Sequence, residues 1–218
     1  MRRLTILVLA LPLLAACNQV YTRQPLISEA REQGDPEFRP GLWKVGGDNG
    51  DDPLQCPFDI RKSRRDWPAC AGGVEVRRGG QMFVVSGHDR AEAGSFRLVE
   101  GQPILLQLHL HTDLFRDPRV PEPRDTDNPF YGWTFAAVTV VKTDAAARIT
   151  QAELVWADCG PPPNHDGPSA SHTNHPFAGL AMVGNNCVAK DLDTVKNALA
   201  QSARTGKPVP MRWIRDDP

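Results

Sequence analysis

"GWTFAAVTVVKTDAAARITQAELVWAD" (132–158) is the stretch on which the fold turns. Two β-rich runs, 132–142 and 148–158, flank the turn "TDAAA". In the second run Thr150, Ala152, Leu154 and Trp156 fall on one face, with Gln151 and Glu153 opposite. Alternation of this kind marks a strand with two unlike faces. The spacing predicts the longest hairpin of the chain.

Period-two patterning continues on both sides. "GGVEVRR" (72–78) and "QMFVVSG" (81–87) are short runs parted by Gly79-Gly80, a hairpin signal. "SFRLVEG" (95–101) and "PILLQLHLH" (103–111) follow. In the latter, Ile104, Leu106, Leu108 and Leu110 share a core face. Leu105, Gln107, His109 and His111 share the other, expected to be partly wet. "RDPRVPEPRDTDNPF" (116–130) holds four prolines and many charges, so it reads as a long loop and a candidate partner surface. Near the end, Leu192, Val195 and Leu199 repeat at i, i+3 and i+7, an apolar helical stripe. Asp191 or Asp193 caps its start, and Gly206 with Pro208 stops it. "VPMRWI" (209–214) returns as a last strand. Consecutive hairpins imply antiparallel pairing. The expected class is α+β, mainly β: an antiparallel sheet, with room for a partial barrel, packed with one C-terminal helix.

The beginning of the chain carries an address. "MRRLTILVLALPLLAAC" has basic Arg2 and Arg3, an apolar run from Leu4 to Leu14, and small Ala15 and Ala16 before Cys17. The apolar run is shorter than the ~20 residues that span a bilayer, so it reads as a secretory signal over 1–16. Leu14-Ala15-Ala16-Cys17 resembles the lipobox of bacterial lipoproteins. That resemblance implies diacylglyceryl transfer to the Cys17 thiol, cleavage before Cys17, and acylation of the new terminus, with palmitate an expected fatty acid. Two or more acyl chains hold a protein firmly where one anchors it marginally. Asn18 follows Cys17 where an aspartate would favour inner-membrane retention, which points to the outer membrane. The expected location is the cell envelope, lipid-anchored and periplasm-facing. Residues 17–40 are polar and lack sustained periodicity, and read as a flexible tether. The globular β-rich domain is then 41–218.

Without residues 1–16 the charge count is 23 basic against 26 acidic side chains, since the whole chain has 25 and 26 and loses Arg2 and Arg3. The resulting −3, with no basic stripe interleaved with aromatics, argues against a nucleic-acid partner. "RKSRRDW" (61–67) is short and lies between two cysteines, as a solvated loop would. Besides Cys17 the chain has Cys56, Cys70, Cys159 and Cys187, an even number in an exported protein. Two disulfides are expected, and Cys56–Cys70 with Cys159–Cys187 is the preferred pairing of three possible ones. The first would close a loop of 15 residues, a size for which chain entropy gives roughly 3 kcal/mol.

The loop "DCGPPPNHDGPSASHTNHPF" (158–177) carries His165, His172 and His175. Neutral imidazoles ligate zinc or copper. His109 and His111 share a strand face and could join a loop histidine to complete a set. These five define the candidate metal site, set against a solvated loop and a polar outer sheet face. No G-x-S-x-G elbow, CxxC pair, HExxH or phosphate-binding glycine loop occurs. Ser86-Gly87-His88-Asp89 reads as a strand end and a turn. Gly41-Leu42-Trp43 is similar to the G-x-W that opens the first strand of lipocalin-like (calycin) proteins. That resemblance implies a small barrel that binds ligands or inhibits proteases.

The sequence therefore leads to a lipid-anchored envelope protein, non-catalytic and without a cofactor, serving binding, assembly or inhibition. Its partners are the membrane, through the lipid on Cys17, and an envelope protein or small-molecule ligand. The competing expectation is a zinc- or copper-binding protein, or a metal-dependent enzyme, built on the histidines.

Overall fold

The computed structural model describes residues 18–28, 34–46, 59, 61–63, 66–67, 72–86, 89–110, 132–161, 173, 175–183 and 186–216. Within them the elements run β1 (Val20–Thr22), β2 (Gly41–Val45), β3 (Gly72–Val76), β4 (Gln81–Ser86), β5 (Asp89–Val99), β6 (Ile104–Leu110), β7 (Trp133–Thr143), β8 (Ile149–Trp156), β9 (Ala181–Val183), β10 (Asn186–Val188), α1 (Leu192–Thr205) and β11 (Val209–Arg215). The expected mainly β, α+β class with one C-terminal helix holds. The long hairpin is β7–β8, paired from Ala136↔Trp156 to Thr143↔Ile149 with register shifts on either side of Lys142.

The sheet closes on itself. β2 to β8 pair as an antiparallel meander, and β6 pairs with both β5 and β7. β11 inserts antiparallel between β8 and β2, which completes an eight-stranded barrel. The partial barrel admitted by the sequence is thus a full one. Closure leaves no free edge among these eight strands, removing a common aggregation hazard. The β3–β4 turn depends on Gly79 and Gly80, both at positive φ (82° and 80°), as a tight hairpin requires.

Side chains fill the barrel. Trp43, Val74, Val76, Leu98, Leu106, Ala136, Val138, Ala152, Leu154 and Met211 form its core. Trp43 is fully buried, donates its indole N–H to the Arg39 carbonyl at 2.9 Å, and meets Phe38 edge-on with ring centroids 5.2 Å apart. Phe38 also meets Phe96 edge-on at 5.6 Å. This aromatic group gives the G-x-W tryptophan a core-anchoring role.

A second core lies outside the barrel wall. Leu105, Phe135, Ala137, Ala157 and Cys159 point outward and are covered by Val195, Ala198 and Leu199 of α1, together with Val20. Asp191 caps α1, accepting from the Thr194 backbone N–H at 2.8 Å, and the Gly206 N–H donates to the Ser202 carbonyl at 2.7 Å. The stripe of Leu192, Val195 and Leu199 therefore does what its spacing implies: it buries one helix face against β7 and β8.

One expectation needs correction. The described part of the 17–40 segment is not a tether but part of the fold. Val20 and Tyr21 of β1 are almost completely buried. β1 pairs antiparallel with β7 and parallel with β10, joining the short β10–β9 hairpin to the barrel wall. Phe38, 3% exposed, belongs to the barrel core. Three buried residues and one aromatic side chain are enough to order a segment whose composition is polar. The face of β6 carrying Gln107, expected to be partly wet, is dry at Leu105 and Gln107, where the 26–27 backbone and the outer core cover it, and partly exposed at His109.

Candidate functional site

Gln107 shows how that face is used. Its side chain has no solvent exposure. Its Oε1 accepts the backbone N–H groups of Leu26 and Ile27, both at 2.9 Å, and its Nε2 donates to the Ile27 carbonyl at 3.1 Å. One amide thus saturates both main-chain polarities of an otherwise irregular segment, the form in which buried amides are stable. The sequence carries a signal for it. β6 reads ILLQLHL, with leucine on both faces, the mark of a strand covered on both sides.

A second junction surrounds Asn18. This residue is 9% exposed and takes φ 94°, a left-handed conformation that asparagine tolerates better than most residues. Its Nδ2 donates to the Gly160 carbonyl at 3.2 Å, and its Oδ1 accepts the Thr173 N–H at 3.3 Å. Its own carbonyl accepts the Cys159 N–H at 2.7 Å. Next to it the Gln19 N–H donates to Asn186 Oδ1 at 3.0 Å, and Gln19 bridges Asp158. Cys159 and Cys187 are joined as a disulfide, both fully buried beside β1. This is one of the two bonds expected. Cys56 and Cys70 lie outside the described residues, as does Cys17.

Asp158 sits at the edge of this junction, half-buried, with its backbone N–H donating to the Ser202 hydroxyl at 2.9 Å. Burial raises its carboxyl from an ordinary value of 3.8 to about 6. A charged carboxylate is poorly solvated there.

Of the five histidines in the candidate metal set, His111, His165 and His172 lie outside the described residues. His109 is half-buried on the outer face of β6, its ring 4.5 Å from that of Trp133 and tilted by 32°. His175 is exposed, and its backbone N–H donates to Thr173 Oγ1 at 3.0 Å. Among the described residues no group of three or more His, Cys, Asp or Glu side chains is placed to hold a metal ion.

Among the described residues, two spaces bear on ligand binding. Inside the barrel a void of about 30 Å³ is lined by apolar side chains including Phe96, Leu106, Trp156 and Met211. This is room for about one water and no organic ligand. At the barrel rim a cleft of about 80 Å³ lies between Glu37, Phe38, Arg77, Gly80 and Arg97. Arg97 is already paired with Asp35 at 2.5 Å, and Arg77 with Glu75 at 2.8 Å. With both guanidiniums neutralised and Glu37 alongside, the cleft has no net attraction for an anion. No protein-family model, curated protein or solved structure matches the chain.

Proposed function

We propose that the protein is a lipid-anchored lipoprotein of the bacterial cell envelope, periplasm-facing, that serves as a non-catalytic module for binding or assembly. The observation that carries this reading is Leu14-Ala15-Ala16-Cys17, placed directly after a basic start and a short apolar run. The buried Cys159–Cys187 bond supports it, since such bonds persist in oxidising compartments. The outer membrane is the favoured site, on the strength of Asn18 at the position after the lipidated cysteine.

The filled barrel bears on the kind of module. A lipocalin-like carrier holds its ligand in the barrel interior, and the described side chains leave about 30 Å³ there. Recognition in this reading uses the outer surface, and the partner is an envelope protein held near the same membrane. Fatty-acid labelling of cells expressing the full chain tests the anchor. Label on the wild-type protein that disappears in Cys17→Ser is the expected result; label that survives the substitution contradicts it.

A further inference from the structure

We infer that the barrel lies directly against the phospholipid head groups, with the surface around Asn18, the β9–β10 hairpin and the last turn of α1 as its membrane-facing side. This rests on lipidation of Cys17, and on the fact that the fold begins one residue later. A flexible tether over the 23 residues 18–40 would hold the domain about 26 Å away in root-mean-square terms. No such slack exists. The Asn18 side chain and carbonyl make three hydrogen bonds to Gly160, Thr173 and Cys159, and Gln19 makes its own to Asn186. Val20 and Tyr21 are buried strand. Consecutive Cα atoms are about 3.8 Å apart. A lipid on Cys17 therefore brings the fold to the bilayer with almost no freedom to stand off.

The chemistry beside this exit point suits an interface. β10 lies beside β1, with Cys187 opposite Val20, and β9 lies beside β10, with Met182 opposite Cys187. Met182 is thus two strand spacings, roughly 10 Å, from β1. It is 37% exposed, one of three large apolar side chains so exposed among the described residues. On another flank, Asp158, the bridge partner of Gln19, meets Ser202 in the last turn of α1. Arg204 in that turn and Lys207 just beyond it are exposed. An exposed apolar side chain on one flank and exposed cations on another are side chains that a head-group region accepts.

Photo-crosslinking of the full lipidated chain in proteoliposomes of zwitterionic and anionic phospholipid tests the placement. Benzoylphenylalanine replaces Met182 in one variant and Ala146 in another. Ala146 lies in the β7–β8 turn, beyond the end of a strand about 33 Å long whose start pairs with β1. Mass spectrometry of each sample reads acylation at Cys17. The expected result is lipid adducts at position 182 and none at 146, with the 182 adducts lost when a Gly-Ser linker is inserted between Cys17 and Asn18. Acylated protein without adducts at 182, or with equal adducts at both positions, overturns the placement while leaving the anchor standing. Protein without acyl groups overturns the anchor itself, and the placement with it.

Discussion

Replacing Gln107 by leucine removes three hydrogen bonds while nearly keeping the volume of the side chain. The Leu26 and Ile27 N–H groups and the Ile27 carbonyl lose their partner inside a site with no solvent exposure at position 107. Each orphaned buried group costs about 1–3 kcal/mol, so an unrelaxed structure would lose between about 3 and 9 kcal/mol. The chain has a less expensive option. It can release the irregular segment after β1 and let water satisfy the three groups, giving up the packing of the half-buried Leu26 and Ile27. Half of a full leucine or isoleucine burial is about 1 kcal/mol each, and the three native hydrogen bonds add a net ~1 kcal/mol apiece, so the loss settles at about 5 kcal/mol. For a domain of this size that is a fall in Tm of roughly 10–20 °C. Amide hydrogen exchange locates the effect. Leu26 and Ile27 should be protected in the wild type and exchange freely in Gln107→Leu, while the β6 and β7 amides keep their protection. Unchanged protection at 26 and 27, with Tm lowered by less than about 2 °C, would refute the clamp.

Asp158→Asn should stabilise the fold in one pH range only. The folded-state carboxyl titrates at about 6 against an ordinary 3.8. The fold therefore holds its proton to higher pH than the unfolded chain does. Its disadvantage is absent below about pH 4, grows through the window, and is complete above about pH 6, reaching at most about 3 kcal/mol. Urea unfolding should show the variant gaining at pH 7.5 and unchanged at pH 3.5; an equal gain at both would exclude desolvation as the cause. Reducing the Cys159–Cys187 bond opens a loop with a sequence separation of 28, which loop-closure entropy values at about 3.6 kcal/mol. Equilibrium unfolding of Cys159→Ser/Cys187→Ser against the oxidised protein measures that difference. Gly41 has φ 128°, and a Cβ there would collide with the Arg215 carbonyl and the Trp213 indole nitrogen. Gly34 has φ 98° and open space around it. Gly41→Ala should thus lose well over 2 kcal/mol and Gly34→Ala about 1 kcal/mol, read as two melting curves.

The barrel strands were legible because each carries its own period-two pattern, and the helix because Leu192, Val195 and Leu199 repeat with the helical period. Closure was less visible. It depends on β11 inserting between β8 and β2, a long-range pairing that no local pattern encodes. β1 escaped for the same reason. Its three residues gain their burial from Cys187 and Thr134, more than a hundred positions away. Asn18 and Gln107 look like surface residues in composition, and only their partners make them structural. The Cys159–Cys187 pairing was readable because the four cysteines other than Cys17 have only three ways to form two bonds. Of the metal set, His109 and His175 are described and their surroundings are an indole ring and solvent-exposed loop. Alternation puts His109 on its face of β6, but says nothing of what covers that face.

In the proposed reading the mature chain starts at a lipid-modified Cys17 and the fold begins at the next residue. The intact mass of the protein, extracted in detergent from membranes of cells expressing the full chain, decides whether this is so. The predicted mass is that of residues 17–218 bearing a diacylglyceryl group and an amide-linked acyl chain, with Cys159–Cys187 oxidised. A chain that starts at any other residue, or that starts at Cys17 with a free thiol, contradicts it.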